Sequence, residues 1–102
     1  MPSEVTMDSS GVIAFLQLHK QEMAQQFGTT KIGLAGSYAR NEATEDSDID
    51  IIVEIQSPNK FRSFFNLLYY LQESLGKKVD LSTESSLKPL VRESILKNIL
   101  YV

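Results

Sequence analysis

The sequence has no cysteine and no tryptophan, a single histidine, and only three prolines and five glycines among its 102 residues. The lack of cysteine excludes disulfides, thiolate metal sites and a cysteine nucleophile. The longest uninterrupted apolar run is five residues, far below the roughly 20 that a membrane-spanning helix needs. The polar N-terminal stretch MPSEVTMDSS has the features of neither a signal peptide nor a transit peptide, so we expect a cytoplasmic protein.

An excess of positive charge is also missing. Ten Lys and Arg stand against 13 Asp and Glu, which gives a net charge of −3. A protein that coats nucleic acid needs an electropositive face, so we expect neither direct nucleic-acid binding nor a membrane partner. The hydrophobic share of 42% is ample for one packed core, and the length predicts a single domain over residues 1–102.

The hydrophobic pattern predicts the element order α-β-turn-β-α-β-α. We expect helices over residues 10–27, 60–75 and 87–100, strands over 31–35, 49–55 and 78–82, and one helical turn after Ser37. The strand–helix–strand crossover favours parallel pairing of the second and third strands, and the short link favours antiparallel pairing of the first two. The predicted fold class is α+β, with a small mixed β-sheet and helices packed on it.

Two acidic residues open the second predicted strand. Asp48 and Asp50 are two residues apart, so both carboxylates lie on one face while Ile49 and Ile51 point to the other. Carboxylates this close repel each other and lose hydration in a covered sheet, and a divalent cation would resolve both problems. Oxygen ligands without cysteine, and with His19 far away in sequence, favour Mg²⁺ or Mn²⁺ over zinc.

A glycine and a serine end the first predicted strand. Gly36 allows close approach to the backbone, and Ser37 supplies a hydroxyl where a helical turn begins. Free N–H groups at the start of a helical turn attract phosphate. Arg40, in the next turn, could bind the same phosphate through its guanidinium group. Asp80 is the acid of the third predicted strand and reaches the same cations if that strand pairs with the second. These residues predict a site for a nucleoside triphosphate and metal ions.

Each motif alone has blander interpretations. Acidic pairs at strand ends are often solvated surface residues. A pair of this kind also occurs in phosphatases with an aspartate nucleophile and in glycosyltransferases, but both classes need a longer chain than this one. His19 lies on the apolar stripe of the first helix and is interpreted as structural. The combination of the glycine–serine pair, the two acids and the later strand acid makes these alternatives improbable.

The run GSYARNEATEDSDIDIIVE resembles the signature of the nucleotidyltransferase superfamily of DNA polymerase β type. The small size of the whole chain, 102 residues, resembles that of the minimal nucleotidyltransferases, the antitoxin partners of HEPN-domain toxins. In that family the glycine–serine pair binds the triphosphate, the two strand acids ligate two Mg²⁺ ions, and the third acid helps to bind the catalytic metal and activates the acceptor hydroxyl. The matching residues are Gly36 and Ser37, Asp48 and Asp50, and Asp80.

One position departs from the pattern. Close relatives usually have glycine after the arginine, where this sequence has Asn41. Asparagine is among the residues that best tolerate positive φ, so we expect the loop geometry to persist.

The resemblance implies an enzyme that transfers AMP from ATP to a hydroxyl of a HEPN ribonuclease toxin, and thereby acts as an antitoxin. Larger superfamily members carry an extra acceptor-binding domain, and we expect none after Asp80, so the acceptor would bring its own surface. Two alternatives stay open: a non-catalytic antitoxin module that neutralises a toxin by binding, and a nucleotidyltransferase that dimerises to modify a small molecule such as an aminoglycoside. Homo- and hetero-oligomers are both compatible with the sequence.

Overall fold

The computed structural model describes residues 8–102 and contains four helices and four strands. In chain order the elements are α1 (Ser9–Phe27), β1 (Thr29–Ala35), α2 (Gly36–Ala39), β2 (Ile49–Ile55), α3 (Lys60–Leu75), β3 (Val79–Thr83), a 3-10 turn (Glu84–Ser86), α4 (Pro89–Leu96) and β4 (Leu100–Tyr101). The predicted bounds of β2 and α3 are confirmed, and those of α1, β1 and β3 are confirmed to within two residues. No helix among the described residues is long and apolar enough to cross a membrane.

The capping chemistry explains why the two long helices begin and end where they do. The Asp8 carboxylate accepts a hydrogen bond from the Gly11 N–H at 2.9 Å, and the Asn59 side chain accepts one from the Arg62 N–H at 3.1 Å. At the other ends Gly28 and Gly76 adopt the left-handed conformation, which is common for the residue that terminates a helix.

The strands form one mixed sheet in the order β3-β2-β1-β4. β1 and β2 are antiparallel and β2 and β3 are parallel, which confirms both predicted pairings. Helices α1 and α3 pack on one face, where alternate strand residues meet them in a single core. The main contributors are Val12, Leu16 and Met23 of α1, Leu67, Leu71 and Leu75 of α3, and Ile49, Ile51 and Val53 of β2. The opposite face of β2 is left for Asp50, Ile52 and Glu54.

The predicted helix over residues 87–100 is wrong at both ends. Lys88 is extended (ψ 150°) because the residue before a proline is disfavoured in helical conformation, so α4 begins at Pro89. At the far end the chain leaves the helix and forms β4, in which Tyr101 pairs with Gly33. The bare glycine backbone makes this possible, since a Cβ on Gly33 would lie 2.8 Å from the Ile99 side chain.

A nearly buried carboxylate fastens β4 to the body of the protein. Glu84 is 8% exposed and accepts hydrogen bonds from the Tyr101 hydroxyl at 2.6 Å and from Lys31 Nζ at 3.1 Å. These bonds lower the pKa of Glu84, while burial and the bond to Glu84 raise the pKa of Tyr101 to about 12.

We expect Tyr101→Phe to lower the free energy of unfolding by about 1–2 kcal/mol at pH 7, because a buried carboxylate loses a donor. A raised tyrosine pKa stabilises the fold below pH 10 and loses that effect as pH rises towards the folded value. The difference between wild type and variant in urea denaturation should therefore shrink between pH 10.0 and about 12. Tyr69→Phe removes a hydroxyl from a residue that is 65% exposed and should be neutral; equal effects of the two variants would contradict the prediction.

Candidate active site

The ends of three strands meet at one edge of the sheet. β1 ends where its antiparallel neighbour β2 begins, and β3 begins beside β2 because the two are parallel. Asp50 is consequently the register partner of Ala35 on one side and of Asp80 on the other. This edge brings together the predicted site residues Gly36, Ser37, Asp48, Asp50 and Asp80.

The acids stand on the face of the sheet that the helices leave free. Ile49 and Ile51 are fully buried in the core, whereas Asp50 between them is only partly buried. In β3 the neighbours of Asp80 are buried and Asp80 itself is exposed. Asp48 is also exposed, directly before β2. The alternation predicted from a period of two residues is confirmed for Asp50 and Asp80 within their strands, whereas Asp48 precedes β2.

Asp50 is the electrostatically unfavourable member of the group. Burial raises its pKa above the ordinary value, and the negative charges of Asp80 and Asp48 raise it further. Arg40 is the cation that partly offsets them. A group of this kind is most stable when a bound cation neutralises it, since like charges in a partly desolvated site disfavour the ionised form.

The donor set suits Mg²⁺ or Mn²⁺, because it consists of carboxylate oxygens alone. Among residues 8–102 no three His, Cys, Asp or Glu side chains already form a group that could hold one ion. The backbone register does place Asp50 beside Asp80. The side chains would have to rotate to complete the ligands around an ion. The metal role of these acids stays a prediction.

Gly36 is required at its position for two physical reasons. Its φ is +66°, in the region that side chains rarely adopt. A Cβ on Gly36 would also lie only 1.9 Å from Oδ2 of Asp50. The carboxylate of Asp50 thus makes, within the protein, the close approach to the Gly36 backbone that an incoming group was expected to make.

The segment after Gly36 is a single helical turn. Ser37 lies in this turn, and its carbonyl accepts a hydrogen bond from the Glu42 N–H at 2.8 Å. Asn41 has a φ of +61°, which confirms the expectation that asparagine would take the place of glycine here. Arg40 donates from Nε to Glu42 at 3.1 Å. An exposed pair of this kind contributes little to stability, so the guanidinium can turn towards an anion.

The sequence did not predict that Tyr38, Ser9 and Lys77 make contacts that stabilise this turn. Tyr38 is 1% exposed, and its carbonyl accepts a hydrogen bond from the Ser9 hydroxyl at the start of α1. Lys77 lies with its ammonium 5.7 Å from the centre of the Tyr38 ring and donates to the Glu45 carbonyl at 2.9 Å. No local pattern marks these contacts, because each joins residues that are 29 or more positions apart in the sequence.

We expect Asp50→Asn to stabilise the metal-free protein. A carboxyl with a raised pKa makes the folded state the stronger proton binder, so stability falls as pH rises above 3.8, the ordinary value. Asparagine removes this charge and should raise Tm at pH 7 by about 3 °C, after allowance for solvent screening. Calorimetry in EDTA would measure it. The gain should vanish at pH 3, and an equal gain at both pH values would contradict the electrostatic cause.

Comparison with known proteins places this geometry in a family. The nucleotidyltransferase domain model matches residues 16–102. A protein adenylyltransferase MntA of Thermococcus cleftensis is 42% identical over 87% of this chain and 90% of its own length. A Methanocaldococcus jannaschii protein, named as a candidate protein adenylyltransferase, is 42% identical over 91% of this chain and 96% of its own length.

Solved structures show the same fold. A candidate minimal nucleotidyltransferase superposes with a TM-score of 0.79 at 28% identity, covering 97% of this chain and 98% of that chain. A toxin–antitoxin structure with AMP-PNP gives a TM-score of 0.67 at 21% identity, covering 83% and 70%. A mutant MntA–HpeT toxin–antitoxin structure gives 0.62 at 22% identity, covering 95% and 72%.

Proposed function

This chain belongs to the nucleotidyltransferase domain family, and on that premise we propose that it transfers AMP from ATP to a hydroxyl group of a partner toxin, and so acts as an antitoxin. The observation that carries the proposal is the pairing of Asp50 with Asp80 directly beside Gly36. That arrangement places an oxygen-only set of acids next to the turn that would receive a triphosphate.

The roles of the chain's own residues follow from their positions. The Ser37 hydroxyl and the guanidinium of Arg40 would hold and orient the phosphates, because both stand in or next to the turn that follows Gly36. Asp80 is exposed at the open edge of the sheet and would orient the acceptor hydroxyl, because a large acceptor must approach from solvent.

Asp48, Asp50 and Asp80 would hold the divalent cations, Mg²⁺ in the first instance. When bound, such ions supply Lewis acidity that lowers the pKa of an acceptor hydroxyl and offsets charge on a leaving pyrophosphate. Binding the cation would also relieve the repulsion that raises the pKa of Asp50. Removal of metal with EDTA should therefore stop transfer.

The choice of a protein acceptor draws support from the relatives. The Thermococcus protein that matches over most of both chains is named a protein adenylyltransferase, and structures with the same fold were solved as toxin–antitoxin assemblies. The acceptor class that we propose is a HEPN ribonuclease, with a side-chain hydroxyl as the nucleophile. ATP is the proposed donor.

Incubation of the purified protein with Mg²⁺, labelled ATP and its candidate toxin tests the proposal. Label in the α-phosphate should appear on the toxin, and label in the γ-phosphate should not, because AMP transfer releases pyrophosphate. Neutralisation of the toxin without any label would favour the non-catalytic binding module. Label on an added aminoglycoside but not on the toxin would favour the small-molecule enzyme. Either result would overturn the proposal.

A further inference from the structure

We propose that Lys77 is a positioning residue that holds two segments in a fixed relation: the phosphate-binding turn, which is α2 (Gly36–Ala39), and the acidic loop. The acidic loop is defined as residues 42–48, the part of the connection between α2 and β2 that ends at Asp48. The inference rests on the proposed function, because it assigns Lys77 a part in forming the nucleotide and cation site.

A single ammonium group contacts both segments. Lys77 Nζ donates a hydrogen bond to the Glu45 carbonyl at 2.9 Å, three residues before Asp48. The same atom lies 5.7 Å from the centre of the Tyr38 ring, in the turn that contains Ser37. A cation over an aromatic face and a charged donor to a carbonyl are both stabilising. The backbone bond from the Glu42 N–H to the Ser37 carbonyl joins the start of the loop to the turn. Lys77 adds a second connection, which ties the middle of the loop at Glu45 to the same turn.

The base of Lys77 is itself anchored. The side-chain oxygen of Gln72, in the last turn of α3, accepts a hydrogen bond from the Val79 N–H at 3.2 Å. The Lys78 carbonyl accepts one from the Ile49 N–H at 3.0 Å. The backbone around Lys77 is thus tied to α3 on one side and to the start of β2 on the other, which makes it a firm support for the loop.

Other side chains do not replace this contact. The Thr44 N–H donates to Ser47 Oγ at 2.9 Å, and the Ser47 N–H donates to the Thr44 carbonyl at 3.1 Å, but both bonds lie within the loop. Arg40 bonds to Glu42 from the adjacent turn. Within the part of the chain that the structure describes, the side-chain hydrogen bond that reaches the loop from a segment distant in sequence is the one from Lys77, which lies between α3 and β3.

The chain offers a matched control at the next residue. Lys78→Met removes the same charge from an exposed side chain and leaves the backbone bond to Ile49 intact. Lys77→Met removes the charge together with both contacts. Lys77→Arg keeps a charged donor and a cation that can stack on the Tyr38 ring. Comparison of the three variants separates positioning from net charge.

We would measure hydrogen exchange of residues 44–48 without nucleotide, binding of AMP-PNP with Mg²⁺, and the KM and kcat of AMP transfer. Lys77→Met should speed exchange in this segment and raise both the Kd and the KM about tenfold, with kcat changed by less than about threefold. Lys77→Arg should restore values near wild type, and Lys78→Met should match wild type throughout.

Equal behaviour of Lys77→Met and Lys78→Met would overturn the inference, as would a loss of kcat with unchanged KM. Failure of the proposed function looks different. If the wild type transfers no label, but exchange and AMP-PNP binding still respond to Lys77→Met alone, the inference stands and the proposed function fails. Hydrogen exchange requires no ligand, so it decides the positioning role even if nucleotide does not bind.

Discussion

Replacement of both Asp48 and Asp50 by asparagine is expected to lower AMP transfer by at least about a thousandfold while the protein stays folded. Both side chains would lose the charge that holds a divalent cation, and asparagine keeps their shape. The protein should not be destabilised, because the charge of Asp50 is unfavourable in the fold. The loss of activity and the gain in Tm should therefore appear in the same variant.

The measurement is transfer of α-labelled AMP to the toxin, with circular dichroism as the check on folding. Asp46→Asn is the matched control, because it makes the same chemical change at an exposed acid two residues before Asp48. It should leave transfer near wild type. Wild-type transfer by the double variant would refute the role of the two acids, and neutralisation of the toxin in cells by the inactive variant would show that binding suffices.

Gly36→Ala should produce the second large effect, on stability and activity together. The left-handed backbone would add about 1–2 kcal/mol of strain for any side chain. The new Cβ would in addition lie 1.9 Å from Oδ2 of Asp50, so the carboxylate must move. We expect a loss of more than about 2 kcal/mol in the free energy of unfolding and of about a hundredfold in transfer.

Gly76→Ala separates the two causes. Gly76 has nearly the same backbone angle, φ +67°, but nothing lies within 4 Å of an added Cβ. This variant should show the backbone strain alone, with transfer unaffected. A second test is the Asp50→Ala background, in which Gly36→Ala should destabilise the protein less because the oxygen it meets is gone. Equal losses for Gly36→Ala and Gly76→Ala would contradict a collision with Asp50.

The elements that the sequence predicted well are those whose pattern is local. The run of apolar residues in β2 and the recurrence of apolar residues every three or four positions in α3 are both contained within the element itself. The predicted bounds of both elements are confirmed. The same holds for the turn at Asn41, because the tolerance of asparagine for positive φ is a property of one residue. The position of Asp50 on the face opposite Ile49 and Ile51 likewise follows from the strand period.

The C-terminal strand β4 and the hydrogen bonds that Lys77 and Ser9 make near the site depend on partners far away in sequence. Leu100 and Tyr101 belong to an apolar segment that fits a helix equally well, and pairing with Gly33 decided its conformation. The bond from Lys77 to Glu45 spans 32 residues and that from Ser9 to Tyr38 spans 29. No periodicity within a segment encodes such contacts.

Residue types and their spacing were enough to predict an acidic site beside a glycine–serine turn and to indicate the nucleotidyltransferase family. Two contacts arise only when the chain packs: Asp50 occupies the space that a side chain on Gly36 would need, and Lys77 contacts both the loop and the turn. The physical reason is that residue type and spacing set chemistry and local conformation, whereas distances between side chains arise when strands and helices pack together.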